Sequence, residues 1–243
     1  MLSLEVAKLS TRIDGFDEIL GGGIPTGDVV LLAGLPGTMK SSLSYSILYN
    51  NAMAKATPSL YISLEQSRSS LDRQMRSMGF DTTAAYEHVR VLDLGEVQKT
   101  VGKGGHDVWI DYLKWAVKDW REVGGAEVVV LDSLDALCVL ARFEDRRRAL
   151  FDLFQWLRDM GTTAILLAEA PRDGTLAGLE RHAPHEEEFL ADGIIYLKMH
   201  PVNDLEMQRR IRVVKMRACH HKTGHYALVF DDGRFSVTGA IGD

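Results

Sequence analysis

The sequence predicts an α/β fold with a mostly parallel central sheet, helices on its flanks and antiparallel strands at the C-terminal edge. Three observations predict it. Short runs that are apolar throughout, such as Val29–Ala33, Val128–Leu131 and Ala164–Ala168, alternate with amphipathic stretches of helical period; parallel strands covered on both faces read as continuous hydrophobic runs. Toward the C-terminus, Arg210–Met216, His225–Phe230 and Arg234–Val237 are separated by turns at His220–Gly224 and Asp231–Gly233, the pattern of hairpin-connected strands. The 243 residues, 46% hydrophobic and 26% charged, suffice for one large core. No repeat, low-complexity stretch or linker interrupts them, so one domain is expected over residues 1–243.

Taken in order, Phe16, Ile19 and Leu20 have helical spacing, Gly21–Gly23 stop that helix, and Ile24-Pro25-Thr26-Gly27 reads as a turn. The first core strand is Val29–Ala33. It runs into Gly34-Leu35-Pro36-Gly37-Thr38-Met39-Lys40-Ser41-Ser42, and a helix follows to about Lys55. Strand, tight loop and helix ending in Lys-Ser match a phosphate-binding loop, G-x-x-x-x-G-K-[ST]. Its backbone N–H groups turn inward around phosphate oxygens, and the helix N-terminus adds partial positive charge. Lys40 supplies the point charge on the terminal phosphates and the Ser41 hydroxyl a magnesium ligand. One position departs from the pattern, because Met39 stands where the second glycine belongs. If that position needs a positive φ, Met39 costs about 1–3 kcal/mol.

Ser59–Leu64 is a second strand with Glu65-Gln66-Ser67 at its carboxyl end, the edge where open α/β folds bind ligands. Ser69–Met78 is an amphipathic helix, Leu71, Met75 and Met78 inward, closed by Gly79-Phe80-Asp81. Val89–Leu94 is a short strand, Gln98–Gly105 a polar loop, and Asp107–Glu122 a helix whose Trp109, Tyr112, Trp115, Ala116 and Trp120 are read as core. The strand Ala126–Ser133 ends in Asp132, a carboxylate placed to hold magnesium through water beside Lys40 and Ser41. Arg146–Met160 is a helix with Leu150, Leu153, Phe154 and Leu157 inward and Arg146–Arg148 solvated. Thr163–Glu169 is a strand again ending in an acid, Ala170–Glu188 is polar and irregular, and Ala191–Leu197 is a strand.

A net charge of −6 does not favour nucleic acid as the main partner. The two cysteines, Cys138 and Cys219, lack metal-ligand spacing and read as reduced thiols of a cytoplasmic protein. Met1–Lys8 has no basic region followed by an apolar core, and no run of about 18 apolar residues occurs, so neither a leader nor a membrane span is expected. His220, His221 and His225 have no well-placed carboxylate or thiolate partner and are assigned no metal.

Together these stretches resemble the single-domain relatives of KaiC in the RecA-like ATPase superfamily. The matching pieces are Arg12–Gly27, the loop Gly34–Ser42, Ser63–Ser67, Met78–Asp81, the strand ending at Asp132-Ser133, Ala191–Ile195 and Val214–Arg217, in family order over nearly the whole chain. The resemblance implies ATP and Mg2+ as ligands. It implies Glu65 as the carboxylate that polarises the attacking water; the plainer reading is a surface acid capping the next helix. The family often has two acids in a row there, and the second is Gln66 here. Lys215 and Arg217 match the K-x-R pair that reaches across a subunit boundary to a neighbour's γ-phosphate. Residues two apart on a strand share a face, so both cations can converge on one anion; the alternative is a solvated basic edge strand with Arg209, Arg210, Arg212 and Lys222 nearby. The implied assembly is a ring, such as a hexamer, or a filament, acting as a nucleotide-dependent switch or regulator with an unidentified protein partner. Two further functions stay open. One is a non-hydrolysing ATP-binding scaffold, suggested by Met39 and Gln66. The other is a recombinase-type DNA-binding ATPase with Asp135–Arg148 and Ala170–Glu188 as pore loops, although the second segment's acidity opposes phosphate contact.

Overall fold

The computed structural model describes residues 6–93, 106–170 and 187–240. Along the chain, β1 (Lys8–Leu9), α1 (Phe16–Ile19), β2 (Ile24–Pro25), β3 (Val29–Gly34), α2 (Lys40–Lys55), β4 (Ser59–Ser63), α3 (Arg68–Ser77), α4 (Thr82–Ala85) and β5 (Val89–Asp93) come first. They are followed by α5 (His106–Gly124), β6 (Val128–Asp132), α6 (Leu134–Ala141), α7 (Arg146–Asp159), β7 (Thr163–Glu169), α8 (Glu187–Leu190), β8 (Gly193–Pro201), β9 (Met207–Met216), β10 (Tyr226–Asp231) and β11 (Arg234–Gly239). Strands β3 to β11 form one sheet in the order β11-β10-β9-β8-β3-β7-β6-β4-β5. From β8 to β5 every pairing is parallel, and β9, β10 and β11 are added antiparallel. That is the expected architecture.

The sheet is covered on both faces because its strand residues alternate. Val30, Leu32, Val128, Val130, Ile165 and Leu167 join one cluster with α1, α2 and α3. Val29, Leu31, Val129, Leu131, Ala164 and Leu166 join the other, with α5, α6 and α7. Leu150, Leu153, Phe154 and Leu157 of α7 are all buried there, as their spacing requires.

Helix starts follow local capping chemistry. Ser67, Asp81, Ser133 and Asp145 each accept a backbone N–H at the start of α3, α4, α6 and α7. The 16-residue α2 differs, since Met39 at its N-cap contributes no side-chain acceptor. Its first N–H groups are therefore available to an outside anion.

Several expectations need correction. Of the α5 aromatics, Trp109 is 5% exposed but Trp115 is 56% exposed, because the aromatic stripe is wider than the contact it makes. Asp135–Arg148 is not a loop: Leu134, Leu137 and Ala141 bury a helical face, so most of it forms α6 and the first turn of α7. Ile24-Pro25 pairs with Lys8-Leu9 as a small antiparallel sheet. Glu187 and Glu188, expected in irregular chain, begin the short helix Glu187–Leu190. Gln98–Gly105 and residues 171–186 lie outside the described residues.

Candidate functional site

The loop Gly34–Ser42 leaves β3 at the carboxyl edge of the sheet and enters α2. A Cβ on Gly34 would sit 2.8 Å from both the Leu197 carbonyl oxygen and Thr38 Oγ1, so only glycine fits against β8. Thr38 is buried and closes the turn, its Oγ1 and N–H both donating to the Leu35 carbonyl at 2.8 and 3.3 Å. Met39 has φ 71° and ψ 30°, so the condition attached to its cost is met. The left-handed region costs a side-chain-bearing residue about 1–2 kcal/mol, and packing of Met39 against the core offsets part of this. Lys40 Nζ donates to the carbonyls of Gly34 and Leu35 at 2.7 and 3.3 Å. Burial lowers its pKa, opposed by the nearby Glu169, Asp132, Glu65 and Asp135. A cleft of about 420 Å³ opens over the loop, and Pro36 to Ser42, Glu65, Asp132 and Ser133 line it.

The ends of neighbouring strands deliver the acids. β4 and β6 pair in register, Ser63 beside Asp132, so both finish at the cleft. Asp132 is 4% exposed and its Oδ2 accepts the Tyr61 hydroxyl at 2.6 Å. Burial pushes the Asp132 pKa up; hydrogen bonds from Tyr61 and Ser41 and the charge of Lys40 pull it down, while Glu65 pushes it up again. Burial beside this carboxylate holds the Tyr61 hydroxyl well above its usual pKa. Glu65 is exposed and accepts a hydrogen bond from Ser133 Oγ. It does not cap the next helix, because Ser67 does. Gln66 turns toward α3, accepting from Ser70 Oγ at 3.2 Å and donating to Gln74 Oε1 at 3.4 Å. Of that adjacent pair, only Glu65 lines the cleft.

Two charged cleft residues were not assigned from sequence. Glu169 ends β7 beside Gly34 and its N–H donates to Asp135 Oδ2 at 2.7 Å. An acid closing a strand was its only signal. Arg209 reaches the cleft from β9, where it lies opposite Met199, and its buried Nε has no hydrogen-bond partner. In the sequence it is one of several arginines of an edge strand, and only strand register separates it from the others.

Lys215 and Arg217 lie at the other edge of the sheet. Lys215 is opposite Ile194, and β9 ends at Met216, so Arg217 sits in the following turn and the two are not on one strand face as the spacing suggested. They converge by another route. Lys215 Nζ donates to the carbonyls of Ala191 and Glu188 at 2.6 and 3.3 Å. Arg217 Nη1 donates to Asp192 Oδ1 at 2.9 Å. Burial first, then Arg217, lowers the Lys215 pKa. Since β8 pairs with β3 from Gly193 beside Val30 to Leu197 beside Gly34, a span of roughly 13 Å at about 3.3 Å per residue, and Lys215 and Arg217 adjoin its Gly193 end, the pair lies at the end of β3 away from the loop of the same chain.

The fold and the loop define the class, a RecA-like protein with a phosphate-binding loop. A family model described as "ATPase: KaiC" matches residues 9–239, and the chain belongs to that family. The circadian clock oscillator protein KaiC of Synechococcus elongatus is 28% identical over 247 residues, covering 96% of this chain and 44% of its own length. The circadian clock oscillator protein KaiC 1 of Synechocystis is 30% identical over 236 residues, covering 91% and 42%. The chain thus spans less than half the length of these relatives. The crystal structure of a KaiC-like protein from the archaeon Pyrococcus horikoshii superposes with a TM-score of 0.77 at 28% identity, covering 96% of this chain and 99% of that one. Among the described residues no helix is long and apolar enough to cross a membrane.

Proposed function

We propose that this protein hydrolyses ATP with magnesium at interfaces between its own copies, as a nucleotide-dependent switch or regulator in the cytoplasm. The observation that carries the reading is the division of the machinery between two edges of one sheet. Loop, Lys40, Ser41, Glu65 and Asp132 share a cleft, whereas Lys215 and Arg217 project from the opposite edge.

The loop amides and Lys40 grip the phosphates. Glu65 orients the attacking water and takes up its proton as the γ-phosphate bond breaks, and Arg209 faces the phosphates from β9. Ser41 and Asp132 would hold magnesium; hydroxyl and carboxylate oxygens suit this hard cation, and the raised pKa of Asp132 marks a desolvated carboxylate short of positive charge. Bound there, the ion would neutralise charge on the phosphate oxygens. Lys215 and Arg217 of one subunit stabilise the γ-phosphate held by the next, as an arginine finger does. Such head-to-tail contacts close into a ring, a hexamer in our reading. Two cysteines outside any disulfide suit a reducing compartment.

Met39 in the left-handed region, with Gln66 in place of a second acid, favours a second reading as an ATP-binding scaffold without turnover. Phosphate release, measured with Mg-ATP beside ATP binding and particle size, separates the two. Hydrolysis predicts that Glu65→Gln slows release by roughly 10²–10⁴-fold while ATP still binds. Equal rates would remove Glu65 from the mechanism, and ATP-dependent assembly without release at any protein concentration would establish the scaffold.

A further inference from the structure

Long cationic side chains that act across a boundary lose rotamer freedom when they reach their target. In this chain that ordering is done in advance. Asp192, at the entrance to β8, is 6% exposed. It holds Arg217 at two points: its Oδ1 accepts Arg217 Nη1 at 2.9 Å, and its carbonyl accepts the Arg217 N–H at 3.0 Å. Its Oδ2 accepts Arg158 Nε at 2.8 Å and the Val29 N–H at 3.1 Å, and its own N–H donates to the Val29 carbonyl at 2.8 Å. Arg158, on α7, also donates to the Leu190 carbonyl. The carbonyls of Glu188 and Ala191, just upstream, hold Lys215. One short stretch therefore grips both cations and is itself tied to β3 and to α7.

The grip leaves the cations usable. The Arg217 side chain is 57% exposed, and a guanidinium carries five N–H donors, so the bond through Nη1 leaves part of the fork for a second anion. Around Asp192, three cations, Lys215, Arg217 and Arg158, meet its own carboxylate and that of the neighbouring Asp28.

We propose that Asp192, backed by Arg158, is the positioning residue that aims Arg217 and, through the adjoining carbonyls, Lys215 at the phosphate bound by a neighbouring subunit. This rests on the reading that the pair acts across a subunit boundary. Asp192 acts through Arg217.

The test mixes variants in one assembly. Lys40→Ala subunits have a disabled loop but intact cations, and Arg217→Ala subunits the reverse, so co-expression places intact cations beside intact loops and phosphate release exceeds that of either variant alone. Asp192→Asn then replaces Arg217→Ala. Alone, it should lower kcat by about 10- to 100-fold, with KM for ATP held within about twofold, the signature of an interaction made only in the transition state. Mixed with Lys40→Ala, it should regain activity, which a variant with a general folding defect would not do. Unchanged kcat, or regain for Arg217→Ala but not for Asp192→Asn, overturns the positioning role alone. No regain in the Arg217→Ala mixture overturns the subunit-boundary reading, and this proposal with it. If Asp192→Asn does not fold, Arg158→Met, which removes the backing and leaves the Asp192–Arg217 bond, should show a milder loss relieved in the same mixture; a wild-type rate or an unrelieved loss would count against the proposal.

Discussion

Asp132 and Asp192 mark the two edges of the sheet, and they are held in opposite ways. Asp132, at the carboxyl ends of the parallel strands, is 4% exposed and takes the Tyr61 hydroxyl. Asp192, at the far edge, is 6% exposed and takes two guanidiniums and a backbone N–H. Burial raises the Asp132 pKa against the hydrogen bonds of neutral Tyr61 and Ser41 and the charge of Lys40, whereas Asp192 is met by the stronger, charge-assisted bonds of two guanidiniums. The first edge is thus built to receive positive charge. The second has its charges matched within the chain, and what it offers outward is an arginine. On the proposed function, a single copy carries both halves of a phosphate-handling site at places that do not meet.

The sharpest way to break this contrast is at Arg217. Arg217→Ala should lower kcat by roughly 10³–10⁵-fold, the range for arginine fingers, while isothermal titration finds ATP binding retained, because the loop lies at the other edge. A loss below about tenfold would show that the far edge takes little part in the chemistry.

At the near edge, Tyr61→Phe leaves Asp132 Oδ2 without its 2.6 Å hydroxyl. Denaturant unfolding should register a loss of about 1–3 kcal/mol, the cost of stranding a buried polar group. No loss would mean that water satisfies this carboxylate as well as Tyr61 does.

A smaller effect belongs to Asp28, whose pKa is raised to about 6, first by burial and then by Asp192, against the pull of Arg158 and Arg217. A carboxyl raised in the folded state binds its proton more tightly there than when unfolded. Its contribution is therefore favourable below about pH 4 and is lost as the pH rises through about 6. Asp28→Asn should stabilise at pH 7.5 and less so at pH 5. Partial solvent exposure holds the gain to about 1 kcal/mol, or about 2–4 °C in Tm. Equal melting shifts at the two pH values would remove Asp28 from the far-edge cluster.

How much of this was legible depends on distance along the chain. The loop Gly34–Ser42 was readable because its strand, glycines, Lys-Ser and helix are contiguous. Glu65 and Asp132 were readable because an acid closing a buried strand must emerge at its carboxyl end. Arg209 and Asp192 drew no role, since each owes its place to strands far away in sequence; Glu169 closes a strand in the same way, but which strand ends beside the loop is set by strand order. Trp115 was misjudged for a related reason: helical spacing gives the direction of a stripe but not how wide a contact the neighbours provide.

By itself the sequence determined the α/β class, the phosphate loop and the acids at the strand ends, because strand period, helix period and turn chemistry are local properties of the chain. Only the tertiary structure decided which edge each cation serves. Arg209 and Lys215 share β9, yet antiparallel pairing with β8 sends one to the cleft and the other to the opposite edge, and an irregularity beside Ile194 and Ile195 shifts the register on the way. Hydrogen-bond register between strands is a non-local quantity, settled by which ladder buries the most apolar surface and leaves the fewest polar groups unpaired.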